Sequence, residues 1–404
     1  MAKRRPYVLL LLLCCLTMDI PPLKAQQLPP DSSPEALDSL AIAWPDNTIE
    51  NLQPWALGML RHQQSWRILQ IGDSHIQAEF GVRALRRLLP KLLGLPPIPR
   101  GYTFPFRMYG SNEPPDFSSR AEGGWQAYLS TRDHHPGDYG VAGLSAMTWR
   151  PSATINLKLH PEQGFTVPPN RISLFFTPTS ADFAPRINGL PPDSIDCQRG
   201  RAVFAFDSAC TTLTLSFQPE AFPKEGLNLL GFSLERDAMP MVIHAAGLNG
   251  ADATSHLRNV ALPRDIALLK PNIVLLSLGT NDAYNSQFDP TRFADSIRTL
   301  LGLIHAGAPN TLIILTTPPD HLLRSGDTNP RVDVAAEVLR NLAVETGAAL
   351  WDLNRIMGGH GSMHSWLNQG LTARDGLHFS PQGYGIQGRL LAVALFRMLQ
   401  LSKL

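Results

Sequence analysis

The stretch Asn272-Ile-Val-Leu-Leu-Ser-Leu278 constrains the fold more than any other part of the chain. It is apolar at nearly every position. A strand with one wet face would alternate, so this run belongs to a strand covered on both faces, as in a parallel sheet. Related strand-like runs are Arg67–Ile71, Met241–Ala245, Thr311–Thr316 and Ala348–Asp352. Helical spacing follows them at Gln77–Leu93, Thr291–His305, Val332–Thr346 and Pro381–Leu399. Alternating strands and helices predict a parallel sheet covered by helices.

A different texture interrupts this pattern. From Gly101 to Trp149 the chain is dominated by Gly, Pro, Ser and aromatic residues. Short runs of period two follow at Ala153–Leu159, Arg171–Phe176, Ala202–Phe206 and Thr211–Phe217, with Asn228–Glu235 as a last strand. That pattern predicts an antiparallel β-sandwich. The expected organisation is an α/β domain in two parts, 67–100 and 241–404, with a β insertion at 101–240. A lead-in covers 26–66, with a helical patch at Ile49–Gln63.

Lys3, Arg4 and Arg5 precede an apolar run from Val8 to Leu16, and Leu23-Lys24-Ala25 ends in a small residue. Residues 1–25 therefore read as a secretory signal peptide cleaved after Ala25. The expected location is the periplasm, cell envelope or extracellular space. No later stretch is long and apolar enough to span a bilayer. After cleavage only Cys197 and Cys210 remain, and in an exported chain that pair is expected to form a disulfide. The formal net charge of +1 gives no electrostatic reason for a nucleic-acid or anionic-membrane partner.

Open parallel sheets place their sites at the carboxyl ends of strands. Gly72-Asp73-Ser74, Gly247-Leu-Asn-Gly250 and Gly279-Thr-Asn-Asp282 each follow a strand, and Asp375-Gly-Leu-His378 precedes the last helix. Together they allow acyl transfer. A serine hydroxyl needs a base, which His378 can be, with Asp375 fixing its tautomer. Candidate oxyanion donors are the Ser74 N–H, the Gly250 N–H and the Asn281 side-chain amide. Gly247 competes with Gly250 for that role. Asp73 and Asp282 read as turn-shaping residues.

These four motifs resemble blocks I, II, III and V of the SGNH hydrolases, the GDSL-like esterases and lipases. The resemblance covers residues 67–82 and 241–400 and departs from the family name at His75, where Leu is expected. It implies a three-layer, flavodoxin-like α/β fold with Ser74, Asp375 and His378 catalytic. Ser74, Gly250 and Asn281 would form the oxyanion hole, with no metal or cofactor. The layout is similar to that of bacterial peptidoglycan O-acetylesterases, in which a jelly-roll-like module interrupts the hydrolase domain. The expected activity is removal of O-acetyl groups from an acetylated polysaccharide, peptidoglycan first. A lipase, a thioesterase or a glycan O-acetyltransferase is the alternative. A non-catalytic glycan binder is disfavoured by the intact Ser, Asn, Asp and His.

Asp73-x-His75 also resembles the opening of the calcineurin-like metallophosphatases, with His360 and His364 as further ligands. The GDxxD and GNH[DE] motifs such a site wants are absent. His134, His135 and His256 read as loop residues or local hydrogen-bonders. Trp125, Tyr128 and Trp149 read as packing residues before sugar platforms. His75 is expected to shape the turn or pocket.

Overall fold

A computed structural model describes residues 41–43, 65–132, 138–179 and 183–401. The expected signal peptide, most of the lead-in with its patch at Ile49–Gln63, and His134-His135 lie outside the described residues. Strands are numbered along the chain.

Strands β1 (Trp66–Gly72), β13 (Met241–Gly247), β14 (Ile273–Ser277), β15 (Leu312–Thr316) and β16 (Ala349–Trp351) form one parallel sheet. Its spatial order is β13-β1-β14-β15-β16. By chain position that is 2-1-3-4-5, the flavodoxin-like order. Side chains alternate between the faces. Leu69, Ile71, Val274 and Leu276 join one core, and Ile68, Ile243, Ile273 and Leu275 the other.

Helices α1 (Ser74–Gln77) and α2 (Phe80–Leu92) follow β1. After β13 come α3 (Ala253–Leu257), α4 (Leu262–Leu269), α5 (Thr280–Tyr284), α6 (Pro290–Gly307) and α7 (Arg331–Thr346). Last are α8 (Leu353–Met357), α9 (Ser362–Asn368) and α10 (Pro381–Leu401). Helices α4, α6 and α7 cover the first face, and α2, α8, α9 and α10 the second. Local chemistry sets their ends. The Asp289 carboxylate caps α6 by accepting from the N–H groups of Thr291 and Arg292, and Pro290 opens its first turn. Gly347, at φ 72°, ends α7.

The helix expected over Gln77–Leu93 is α2, Phe80–Leu92, and Gln77 instead ends α1. The chain breaks at Glu79, which adopts φ 56°, an uncommon state for a side chain of that size. Its buried carboxylate pairs with Arg86 and Arg100, and Arg100 also pairs with Asp116. Arg86 lies on α2, Arg100 just before the insertion and Asp116 within it, so a local pattern does not reveal the break.

The insertion holds two antiparallel sheets. One contains β4 (Gln126–Leu129), β5 (Leu144–Thr148), β12 (Leu227–Glu235), β7 (Arg171–Phe176), β10 (Arg201–Ala205) and β9 (Ser194–Asp196), in that spatial order. In the same sheet β2 (Gly101–Thr103) lies beside β12. The other sheet runs β3 (Phe117–Glu122), β6 (Thr154–Leu159), β11 (Thr212–Phe217) and β8 (Pro185–Ile187). Strands β2 to β5 thus occupy the stretch that reads as irregular in sequence. The insertion is not a loose appendage. Phe176, Phe204, Leu215 and Phe217 share one core cluster with Leu69 and Ile71 of the parallel sheet. Where the insertion begins, Gly101 sits at φ +83°, and a Cβ there would lie 2.9 Å from the Ile243 carbonyl oxygen. Trp125 packs against Phe217 and donates to the Thr154 carbonyl, whereas Trp149 is exposed.

Cys197 and Cys210 are not joined, which corrects the expected disulfide. Cys197 precedes the five-residue strand β10 and Cys210 follows it. The ends of a strand of that length lie about 13 Å apart, against the ~7 Å Cα separation a disulfide tolerates. Cys210 Sγ instead lies 3.6 Å from the Pro169 carbonyl oxygen.

Where the insertion returns to the sheet, Glu235 accepts both guanidinium ends of Arg67, at 2.8 and 2.7 Å. Burial opposes ionisation of Glu235, but Arg67 outweighs it and holds the carboxyl at about 2. A folded pKa below the unfolded value of 4.5 stabilises the fold above that value, and the gain fades as pH falls toward 2. Glu235→Gln is therefore expected to lower Tm at neutral pH. Its deficit against the parent should shrink from about pH 5 to about pH 2.5, as followed by circular dichroism.

Candidate active site

Strand β1 ends at Gly72, and Asp73 caps the short helix α1. Asp73 Oδ1 accepts from the His75 N–H at 2.9 Å, and its carbonyl accepts from the N–H groups of Ile76 and Gln77. Burial lifts the Asp73 carboxyl to about 6, against the pull of hydrogen bonds from the His75 backbone and Thr280. Asp73 is thus committed to the turn. Ser74 is the first residue of α1, where a backbone N–H has no intrahelical acceptor.

Ser74 Oγ lies 2.8 Å from His378 Nε2, across 304 residues of chain. His378 sits in a tight loop closed by a bridge between Thr372 and Phe379. Its Nδ1 lies 2.7 Å from Asp375 Oδ2. The other oxygen, Asp375 Oδ1, accepts from the N–H groups of Leu377 and His378, at 3.0 and 2.9 Å. Partial burial pushes the Asp375 carboxyl up, but the hydrogen bonds from His378 and these N–H groups bring it below its ordinary value. A carboxylate accepting from Nδ1–H keeps the ring's proton on that nitrogen, which leaves Nε2 bare toward the serine hydroxyl. Proton transfer from Ser74 to His378 is the chemistry this arrangement permits.

Two further groups meet at the turn after β13. Asn281 Nδ2 donates to the Ala251 carbonyl at 2.9 Å, which uses one of the two amide hydrogens. Gly250 is exposed at φ +77°, with nothing within 4 Å of where a Cβ would be. The two competing glycines differ sharply. A Cβ on Gly247 would lie 2.2 Å from the Gln77 nitrogen, so that residue is filled by packing against α1. Gly250 alone faces open space. Asp282 accepts from the Ala253 N–H at 3.1 Å, and burial raises its carboxyl to about 7.

His75 points elsewhere. Its Nδ1 lies 2.9 Å from the Tyr384 hydroxyl, and its ring packs beside His378, Phe379 and Tyr384. Burial, then the neighbouring His378, push its pKa down to about 3, so it is neutral at ordinary pH. Behind it lies a cavity of about 50 Å³ lined by Gln70, Asp73, His75, Thr280, Trp351 and Gln387. Neither Ser74 nor His378 lines that cavity, so it backs the nucleophile rather than opening onto it. Asp73 faces the α1 backbone while His75 faces Tyr384, and His360 Nδ1 is engaged by Asp333 at 2.6 Å. Among the described residues no group of three or more His, Cys, Asp or Glu side chains could hold a metal ion. His256 is buried, with Nε2 3.2 Å from the Gly72 carbonyl oxygen. Tyr384 went unnoticed in the sequence because it lies 309 residues from its partner.

His75 is kept neutral by burial and faces Tyr384 rather than Ser74, so it takes no part in the proton transfer. His75→Phe is expected to lower Tm by leaving the buried Tyr384 hydroxyl without its partner, a cost of about 1–3 kcal/mol. The inflection of kcat/KM against pH should not move. Its disappearance would assign the titrating base to His75.

Comparison with known proteins bears on this geometry. The GDSL-like Lipase/Acylhydrolase family matches residues 221–386. That span contains Gly250, Asn281, Asp375 and His378, while Ser74 lies on the far side of the insertion. A solved structure described as a peptidoglycan O-acetylesterase in action is 26% identical, with a TM-score of 0.72. The likeness covers 89% of this chain and 99% of that one. A lipase/acylhydrolase from Enterococcus faecalis is 23% identical over 39% of this chain and 77% of that one, with a TM-score of 0.33. No curated protein matches the sequence.

Proposed function

The chain is a GDSL-like, or SGNH, hydrolase, a serine enzyme that hydrolyses esters, and from that premise we propose that it removes O-acetyl groups from a glycan, peptidoglycan first. Ser74 Oγ attacks the acetyl carbonyl while His378 Nε2 takes its proton. The tetrahedral oxyanion is met by the Ser74 N–H, the Gly250 N–H and the Asn281 amide. Collapse expels the sugar oxygen, which receives the proton from His378 and leaves an acetyl ester on Ser74. Water activated by the same imidazole then releases acetate. A glycan hydroxyl entering in place of water would make the reaction a transfer.

The observation that carries this reading is the continuous relay from Ser74 through His378 to Asp375, at 2.8 and 2.7 Å. The site's openness supports a polymeric substrate. His378 is about one-third exposed and Asp375 half exposed, and Asn249 and Gly250 are exposed too. The likeness to a peptidoglycan O-acetylesterase extends over nearly all of that chain, insertion included, and supports acetyl as the acyl group. The two antiparallel sheets, sharing one core, are read as the jelly-roll-like sandwich of that layout. Export through the signal peptide at 1–25 would place the enzyme where such a glycan lies.

The test uses nitrophenyl acetate, butyrate and octanoate, followed by acetate release from O-acetylated peptidoglycan. The acetate ester is expected to be turned over best and to survive EDTA. Ser74→Ala is expected to lose at least ~10³-fold in kcat, and Asn281→Ala about 10²- to 10³-fold. Activity surviving Ser74→Ala would end the serine mechanism, and a preference for octanoate would point to a lipase.

A further inference from the structure

Gln77 closes α1, one turn beyond Ser74, and is only 2% exposed although its amide is polar throughout. Its Oε1 accepts from the Asn249 N–H at 2.8 Å. A backbone N–H can only donate, so this contact fixes which end of the amide faces it. Nε2 then donates to Ser111 Oγ at 2.8 Å and lies 3.4 Å from the Asn112 carbonyl oxygen. Asn249 Nδ2 donates to the same Ser111 Oγ and to Asn112 Oδ1, both at 3.0 Å. One buried amide therefore joins three segments: the nucleophile helix, the turn Leu248–Ala251, and the insertion loop at Ser111-Asn112.

That turn is held at its other points too. The Leu248 N–H donates to the Gly72 carbonyl at 3.2 Å, and Asn281 holds the Ala251 carbonyl. Between these ties stands Gly250, the open position of the turn. Oxyanion donors act only when held in place relative to the nucleophile, and a 1 Å misplacement can cost about a hundredfold.

We infer that Gln77 is a positioning residue, which sets the Gly250 N–H against Ser74 by clamping the Asn249 N–H to the nucleophile helix. The Ser111-Asn112 loop of the insertion completes that clamp. The insertion is then part of the catalytic apparatus as well as any surface for glycan. The inference rests on the proposed role of Gly250 and specifies what holds that residue in place.

The experiment measures kcat and KM on nitrophenyl acetate, with Tm, for the full chain and its Ser74→Ala, Gln77→Ala, Gln77→Glu and Ser111→Ala variants. Gln77→Ala is expected to lower kcat about ten- to a hundredfold with KM within about threefold, because the clamped donor acts on the transition state. Gln77→Glu keeps an acceptor for the Asn249 N–H but loses the donor to Ser111 and Asn112, and is expected to recover only part of that loss. Ser111→Ala leaves the Asn249 N–H on Gln77 Oε1 but removes the acceptor shared by the Gln77 and Asn249 side chains, and is expected to lower kcat by a few-fold with a modest fall in Tm. It carries the test if Gln77→Ala does not fold. Folded Gln77→Ala and Ser111→Ala enzymes that both keep kcat within about twofold would overturn the inference and leave the esterase reading standing. A parent enzyme inactive on every ester would overturn the esterase reading itself.

Discussion

The site depends on a close approach that only glycine permits. Gly72 and Gly247 face each other in register on β1 and β13. A Cβ at 72 would lie 2.4 Å from Ile76 Cγ1, and one at 247 would lie 2.2 Å from the Gln77 nitrogen. With neither present, α1 lies directly on the carboxyl ends of two parallel strands. Ser74 is thereby placed over the crevice beside the turn that follows β13, and the end of β14 delivers Asn281 to the same turn. Flavodoxin-like sheets open a crevice at the point where strand order reverses. Here that point is β1, flanked by β13 and β14.

The charge distribution divides the site into a dry support and a wet working face. Asp73, His75 and Asp282 lie in surroundings that disfavour charge, and burial is the main cause for each. They shape turns and pack rings. Asp375 is half exposed and its ionised form is favoured by the hydrogen bonds it accepts. An ionised Asp375 can stabilise a positive His378, and a partly exposed His378 can exchange protons with a departing alkoxide or an arriving water.

Much of this was legible in the sequence, for identifiable reasons. Apolar strands such as Ile273–Ser277 declare themselves through burial on both faces, so the parallel sheet and its helices followed from periodicity. The insertion's central strands followed from alternation. What failed were features set by tertiary partners. The break at Glu79 is held by Arg86 and Arg100, and a local window sees only an uninterrupted helical pattern. Strands β2 to β5 hide among glycines and prolines because pairing with β12, β6 and one another defines them, not their own propensity. The disulfide expectation rested on an even cysteine count in an exported chain, and where the two side chains end up is set by how β10 pairs rather than by that count. Ser74, Asp375 and His378 stood out because acyl transfer needs those residue types at strand and loop ends. Gln77, three residues from Ser74, carried no such signal, since an amide on a short helix has many uses. Its partners Ser111 and Asn249 become visible only when the insertion folds back onto the sheet.

The central claim is that Ser74 carries the acyl group between two half-reactions. Intact-protein mass spectrometry after rapid acid quenching of the enzyme with nitrophenyl acetate, with peptide mapping, tests it most directly. The account predicts a mass gain of one acetyl group on the peptide bearing Ser74, absent from Ser74→Ala and from His378→Ala. Turnover with the acetyl group on another side chain, or acetylation that persists when Ser74 is replaced, would contradict it.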